Sequence, residues 1–233
     1  MHVLDNPVWH ALIGTHATVA QRALYAARYD PEVGLFSAVP DIAVPAAWEG
    51  LRDLVGPGER AFLARTEVEI PADWSTQVVA PCRQMVLPDA VPVEVRDGGS
   101  EPPADEPVAL TAHDVPEMLA LIERTRPGPF LYRTIELGTY LGVRREGTLV
   151  AMAGERLRPA GYTEISAVCT DAEYRGTGLA SRLIRALVDS IRARGEVPFL
   201  HLTLTNESAH RVYAALGFET RTLLDVIAAQ APA

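Results

Sequence analysis

The stretch from Glu164 to Ala180, EISAVCTDAEYRGTGLA, concentrates the residues of this chain that could do chemistry. Its first part reads as a strand. A turn holding Gly176 and Gly178 follows and opens directly into a helix. The N–H groups at a helix start have no partner inside the helix and carry partial positive charge. Glycine lets a bulky anion come close to that backbone. A turn of this kind can cradle a phosphate or a pyrophosphate. A purely structural glycine turn has the same wording, so the turn alone names no ligand.

Other phosphate motifs fit poorly. Gly176-x-Gly178-x-x-Ser181 lacks the third glycine of a dinucleotide fingerprint, and no acidic residue ends the next strand to grip a ribose. The chain contains no lysine, so all 21 basic residues are arginine. That excludes a P-loop lysine and a Schiff-base lysine. Cys169 with His201 or His210 is a nucleophile pair in type, but Cys169 sits mid-strand among apolar residues, where a thiol is usually inert packing. His2, His10 and His16 show no metal-ligand spacing, and no other His/Cys/carboxylate cluster does, so no metal is expected.

The elements that must position this stretch lie mainly downstream. Val108 to Leu110 reads as a short strand. Asp114 caps a helix whose apolar face is Met118, Leu119, Leu121 and Ile122. Thr139–Val143 and Leu149–Glu155 flank a hairpin turn around Glu146-Gly147. Tyr162–Thr170 is a strand, and Leu179–Arg194 is an amphipathic helix stopped by Gly195. Phe199–Thr203 is the next strand, and Asn206 caps a helix that ends at Gly217. Upstream, Pro7–Ile13, Ala17–Arg28 and Pro45–Val55 read as helices, with short strands at Ala61–Ala64 and Gln84–Leu87. The fold class is α/β, a mostly antiparallel sheet with a parallel pair.

Length and charge set the outer frame. The 233 residues make one large or two small domains, and a net charge of −9 argues against a general nucleic-acid binder. Residues 1–107 hold 7 Arg and 16 Asp/Glu, whereas 108–233 hold 14 of each. The shift coincides with the acidic, Gly/Pro-rich segment 97–107, which reads as a linker between residues 1–96, an α/β domain of unknown role, and residues 108–233. No apolar run approaches the roughly 20 residues of a membrane span, and the first residues lack a secretory pattern. With only Cys82 and Cys169, the expectation is a reduced cytoplasmic protein with no membrane partner.

Two motifs in order give the chain a family resemblance. Arg175-x-x-Gly178-x-Ala180 matches the Arg/Gln-x-x-Gly-x-Gly/Ala signature of the GCN5-related N-acetyltransferase (GNAT) family. About 25 residues later, the run from Asn206 to Phe218 resembles that family's Asn-x-x-Ala-x-x-x-Tyr-x-x-x-Gly-Phe element. The wording around Ser166–Thr170 and Tyr174–Ala180 is most similar to the FR47-like subgroup. The resemblance covers about residues 108–225 and implies the GNAT acyl-CoA N-acyltransferase fold, with splayed central strands. Some relatives carry a degenerate GNAT-like half before that domain, and residues 1–96 are a candidate for one.

The resemblance implies acetyl-CoA as co-substrate and an N-acetyltransferase acting on a small-molecule or peptide amine. It puts the pyrophosphate on Arg175, Gly176, Thr177, Gly178, Leu179, Ala180 and Ser181. It places the pantetheine arm along Val168, Cys169 and Thr170 and against Asn206, with the N–H near Val168 as oxyanion donor. Tyr213 matches the tyrosine that returns a proton to the coenzyme thiolate, and Glu164 is the candidate base, with an ordered water as the alternative. The acidic first half is expected to wall the acceptor cleft and favour a cationic amine. The rival readings are a non-catalytic acyl-CoA sensor and a transferase of larger acyl groups. A homodimer stays open.

Overall fold

The structure, a computed structural model, describes residues 2–40, 44–67, 69–88 and 106–233. It begins with α1 (Pro7–Ile13), a hairpin of β1 (Ala20–Ala23) and β2 (Ala26–Tyr29), β3 (Ser37–Ala38) and α2 (Pro45–Val55). Next come β4 (Arg60–Arg65), β5 (Ser75–Val86), β6 (Val108–Ala109) and α3 (Val115–Thr125). The rest is β7 (Tyr140–Arg145), β8 (Thr148–Glu155), β9 (Tyr162–Thr170), α4 (Leu179–Ala193), β10 (Val197–Thr203), α5 (Glu207–Ala215) and β11 (Glu219–Gln230).

Strands β4 to β11 form one sheet in the order β4-β11-β5-β10-β9-β8-β7-β6, while β1, β2 and β3 make a small sheet of their own. In the large sheet β10 and β9 run parallel and the other assigned pairs antiparallel. The α/β class and the mixed, mostly antiparallel sheet expected from the sequence are observed. The expected linker lies largely outside the described residues. Strands β4 and β5, from before it, pair with β10 and β11, from after it, so both halves of the chain share one sheet.

Helical periodicity explains one face of that sheet. Leu179, Leu183, Ile184, Leu187 and Ile191 line one side of α4 and are all buried, packing with Ala151, Ala153 and Ile165 of the sheet. Tyr213 and Leu216 bring α5 into the same cluster. The opposite face is covered by α3 near β8 and by the first half of the chain near β10 and β11.

Three local expectations are corrected. Residues 17–28, read as a helix, form a short 3-10 turn and the β1–β2 hairpin. Alanine-rich runs favour helix only weakly, and here packing overrides them. Ala27 and Tyr29 face α1 through Val8 and Leu12, while Ala26 faces α2 through Trp48 and Leu51. A strand covered on both sides is apolar at successive positions, which periodicity cannot separate from a helix. The strand expected at 84–87 is the last third of β5, whose outer residues 75–79 are exposed and carry no burial signal. The Asp114 carboxylate does not cap α3. It turns back to accept from the N–H and hydroxyl of Thr111 and from Arg144.

Gly154 stands opposite Tyr140 in the β7–β8 ladder, where an added Cβ would lie 2.1 Å from the ring's Cδ1. Gly154→Ala should therefore lower stability by about 1–3 kcal/mol, the usual effect of overpacking a filled core. Urea denaturation reads this, and an unchanged midpoint would contradict the packing described.

Candidate active site

The site starts from a local irregularity in β9. Cys169 pairs with Met152 and Ser166 with Gly154, which leaves Ala167 and Val168 to share the place opposite Ala153. Ala167 takes a φ of +52°, in the left-handed region. An extra residue of this kind bends its strand. On its other side β9 pairs with β10 only at Tyr162, Thr163 and Glu164, matched to Val197, Pro198 and Phe199. Beyond that point β9 stays on β8 as far as Thr170, and β10 stays on β5 as far as Thr203, but the two part from each other. Their facing backbone groups need partners.

At the far end of β9 lies the glycine turn. Gly176 and Gly178 have φ of +78° and +86°. Nothing stands within 4 Å of where their Cβ atoms would be, so the backbone is open on that side. Gly178 is the N-cap of α4, so the N–H groups of Leu179, Ala180 and Ser181 fall in its first turn, without intrahelical acceptors. Thr177 donates its hydroxyl to the Tyr174 carbonyl at 2.7 Å, and Arg175 Nε reaches back to the Thr170 carbonyl at 3.3 Å. Thr170 Oγ1, at the end of the gap, is buried without a partner. The turn, the gap and this orphaned hydroxyl fit a linear ligand with an anionic end and polar groups along its length.

At the other end the gap widens into a cavity of about 320 Å3. Val168, Asn206 and Tyr213 line it. The Asn206 side chain accepts from the Ala209 N–H at 3.1 Å and so caps α5. Tyr213 is buried, and burial, with the Glu164 charge adding, pushes its hydroxyl up to about 12. It therefore stays protonated at neutral pH.

Glu164 is placed differently from the expectation. It is fully buried and lies behind the cavity wall. Its carboxylate accepts from Arg156 Nε at 2.8 Å and Nη2 at 2.6 Å, from the Leu157 N–H at 3.3 Å, and from His201 Nδ1 at 2.7 Å. Burial alone would raise its pKa, but the Arg156 charge and hydrogen bonds, with His201 adding, outweigh this and hold it at about 2. Gln84 Nε2 donates to the Leu4 carbonyl and to His201 Nε2, while Gln84 Oε1 accepts from Arg221. That chain fixes His201 with its proton on Nδ1. A carboxylate so occupied presents no free lone pair to an incoming amine, which corrects its reading as a base.

Other sequence-based expectations resolve as follows. Val168, Asn206 and Tyr213 come together at the cavity. Residues 175–181 assemble at the opposite end of the gap, with Cys169 and Thr170 on the strand between. Cys169 packs under α3, away from the cluster around Phe199, and burial pushes its thiol up to about 11. The nucleophile pair does not form. Residues 1–107 do wall the cavity, through Tyr29, Phe36, Phe62 and Val79 among others, but among the described residues no Asp or Glu is in its lining. Several acidic residues of that half are engaged elsewhere: Asp5 pairs with Arg221, and Asp30 and Glu32 pair with Arg133. The described part of the wall thus carries no carboxylate to draw a cationic acceptor. Arg156 and Gln84 were missed, since one follows a strand and the other sits in one with no motif to flag it. Among the described residues no group of three or more His, Cys, Asp or Glu could hold a metal ion, and no helix is long and apolar enough to cross a membrane.

Comparison with known proteins bears on the same residues. The family model described as FR47-like protein matches residues 140–225. A crystal structure assigned to the GNAT family, from Novosphingobium aromaticivorans, is 40% identical, with a TM-score of 0.83 and all of both chains covered. A GCN5-related N-acetyltransferase from Kribbella flavida, 16% identical, shares the fold at a TM-score of 0.66 over 97% of this chain and 95% of its own. Among curated proteins, the N-alpha-acetyltransferase RimI of Mycobacterium tuberculosis is 38% identical over 84 residues, which is 34% of this chain and 51% of that protein. An uncharacterised protein of Mycobacterium leprae is 30% identical over 165 residues, 63% of this chain and 42% of that one. The chain thus spans about half the length of the curated relatives it matches.

The buried carboxylate yields a stability test. Its pKa lies below the ordinary 4.5, so its contribution is complete above about pH 4.5 and is lost as pH falls toward about 2. Glu164→Gln strands the Arg156 charge and should destabilise by about 3–5 kcal/mol at pH 7. The variant's stability should also depend less on pH between about 4.5 and 2.5. Equal stability of variant and wild type at pH 7 would show that the ion cluster does not hold this part of the fold.

Proposed function

Because the chain belongs to the GCN5-related N-acetyltransferase family, we propose that it moves the acetyl group of acetyl-CoA onto a primary amine by direct attack, with both substrates bound. The observation that carries the reading is the unpaired gap between β9 and β10, with an anion cradle at one end and a cavity at the other. When bound, acetyl-CoA supplies an activated thioester carbonyl.

The remaining work falls to residues of this chain. The amides of 176–181, with Arg175 beside them, hold the pyrophosphate, and the glycines let it approach. The unpaired edge around Val168, Cys169 and Thr170, with Asn206 opposite, holds the arm as an added strand would be held. Val168, one of the two bulge residues without a Cα partner of its own in the β8 ladder, gives its N–H to the carbonyl oxygen as charge builds there. One such donor is worth about 2.7–4 kcal/mol. As the N–C bond forms and the C–S bond breaks, Tyr213 gives its proton to sulfur, and the proton lost by nitrogen passes to water and from there restores the Tyr213 hydroxyl. Glu164 is a positioning residue that fixes Arg156 and His201 behind the reacting atoms. The chamber itself favours the reactive amine, because an apolar surrounding lowers an ammonium pKa.

The Mycobacterium tuberculosis relative is by name an N-alpha-acetyltransferase. Here the acceptor class stays a small-molecule or peptide amine. Thiol release from acetyl-CoA against a panel of amines tests the proposal. Tyr213→Phe should lower kcat by about 10²–10⁴-fold while acetyl-CoA binding changes little. Binding without thiol release from any amine would leave the chain a sensor of acyl-CoA.

With no free carboxylate at the chamber among the described residues, kcat/KM should climb with pH until the acceptor's own amine pKa is reached, and changing the acceptor should move that plateau. A plateau fixed near pH 6–7 whatever the amine would reveal a titrating base in the protein.

A further inference from the structure

We infer that the acceptor is a primary amine on an uncharged, aromatic or branched aliphatic body, chosen by the wall that the first half of the chain adds to the chamber. This rests on the acetyl-transfer reading above and names the acceptor class for it.

The chamber's composition argues the point. On the side away from Tyr213 and Asn206, its lining includes the rings of Tyr29, Phe36 and Phe62 and the side chains of Val79, Leu131 and Val226. Among the described residues, Arg156 and His201 are the basic side chains in the lining, and no carboxylate joins them there. The Arg156 charge is answered by Glu164, and its guanidinium carbon stands 5.3 Å from the centre of the Phe36 ring. His201 is bound at both ring nitrogens. His201 thus has no free ring nitrogen, and the Arg156 donors left over beyond Glu164 carry a positive charge that repels a second ammonium.

A reacting amine enters neutral, so it needs no counter-ion. A polyamine carries further ammonium groups, and these would be buried against hydrocarbon with no carboxylate in reach. Burial of an unpaired charge is strongly unfavourable. Flat or branched hydrocarbon fits such a wall, and aromatic edges and faces suit it best.

The mouth follows the same rule. In the β5–β11 ladder Ala80 pairs with Val226 and Val78 with Ile227, so Val79 is the unpaired residue of a bulge. It lines the chamber yet is 52% exposed, and Leu35, also in the lining, is 40% exposed. Both are therefore at the rim, where a new charge can be hydrated and the fold preserved.

Two readouts on the full-length protein test this. Calorimetry on protein loaded with coenzyme A reads acceptor binding apart from chemistry, and thiol release from acetyl-CoA reads turnover. The probes are 2-phenylethylamine and 3-methylbutylamine against spermidine and lysine amide. The first pair should exceed the second by roughly tenfold or more in kcat/KM, as expected when a pocket must reject a misplaced polar group. Val79→Asp, with Leu35→Asp as a second variant, should narrow that ratio from both sides while the KM for acetyl-CoA moves less than about twofold.

Preference for spermidine or lysine amide in the wild type overturns the inference, as does an unchanged ratio in both variants. Binding of 2-phenylethylamine with no thiol release from any amine overturns acetyl transfer but leaves the acceptor class standing. Thiol release confined to the charged amines does the reverse. Absence of both binding and release overturns both.

Discussion

Parallel strands that stop pairing halfway leave two rows of amide groups facing each other across a slot, and the rest of this protein is arranged around that condition. Pairing ends after Glu164 and Phe199, and the bulge at Ala167 follows within three residues on β9. The slot cannot close by simple register adjustment, because β8 and β5 hold the two strands from outside. Buried backbone groups without partners are rare, so such a slot calls for a ligand that brings its own donors and acceptors. The glycine turn that opens α4 and the chamber under Tyr213 lie at its two ends. Each alone would be unremarkable surface.

Holding the strands apart requires something rigid at the point of divergence, and the ion cluster on Glu164 meets that need. Glu164 is the last residue of β9 to pair with β10, and its carboxylate ties Arg156, just past β8, to His201 on β10. Gln84 and Arg221 extend the chain of polar contacts to β5 and β11, and Asp5 brings in the first residues of the protein. A polar network built on a buried carboxylate whose oxygens are all engaged fixes one arrangement more firmly than apolar contacts do. The first half is therefore part of the site: it supplies β5 beside β10, anchors the polar chain and builds the chamber wall.

How much of this could be read from the residues depended on whether the signal was local. The strand, turn and helix around the glycines carry it in consecutive positions, as do the apolar stripe of α4 and the Asn206 cap. Tyr213 was legible because its spacing from Asn206 and Phe218 is part of a motif. Glu164 was found for its type and strand position, but its partners are 8 and 37 residues away, and only the folded chain shows the carboxylate turned from the chamber to Arg156 and His201. The β1–β2 hairpin reads as a helix because β2 is covered on both sides, which erases the alternation that marks a strand, while β1 is largely exposed and carries no burial pattern. The acidic charge of the first half was visible as a sum, yet the pairing of Asp5 with Arg221 and of Asp30 and Glu32 with Arg133 was not.

Amide hydrogen exchange with and without coenzyme A tests the central claim most directly. If the slot and the turn form one binding site, the amides of residues 167–170 and 176–181 should slow together on addition of the coenzyme, while those of β4 and β11 keep their rates. Unchanged exchange in both segments at saturating coenzyme, or protection in the turn alone, would contradict the account.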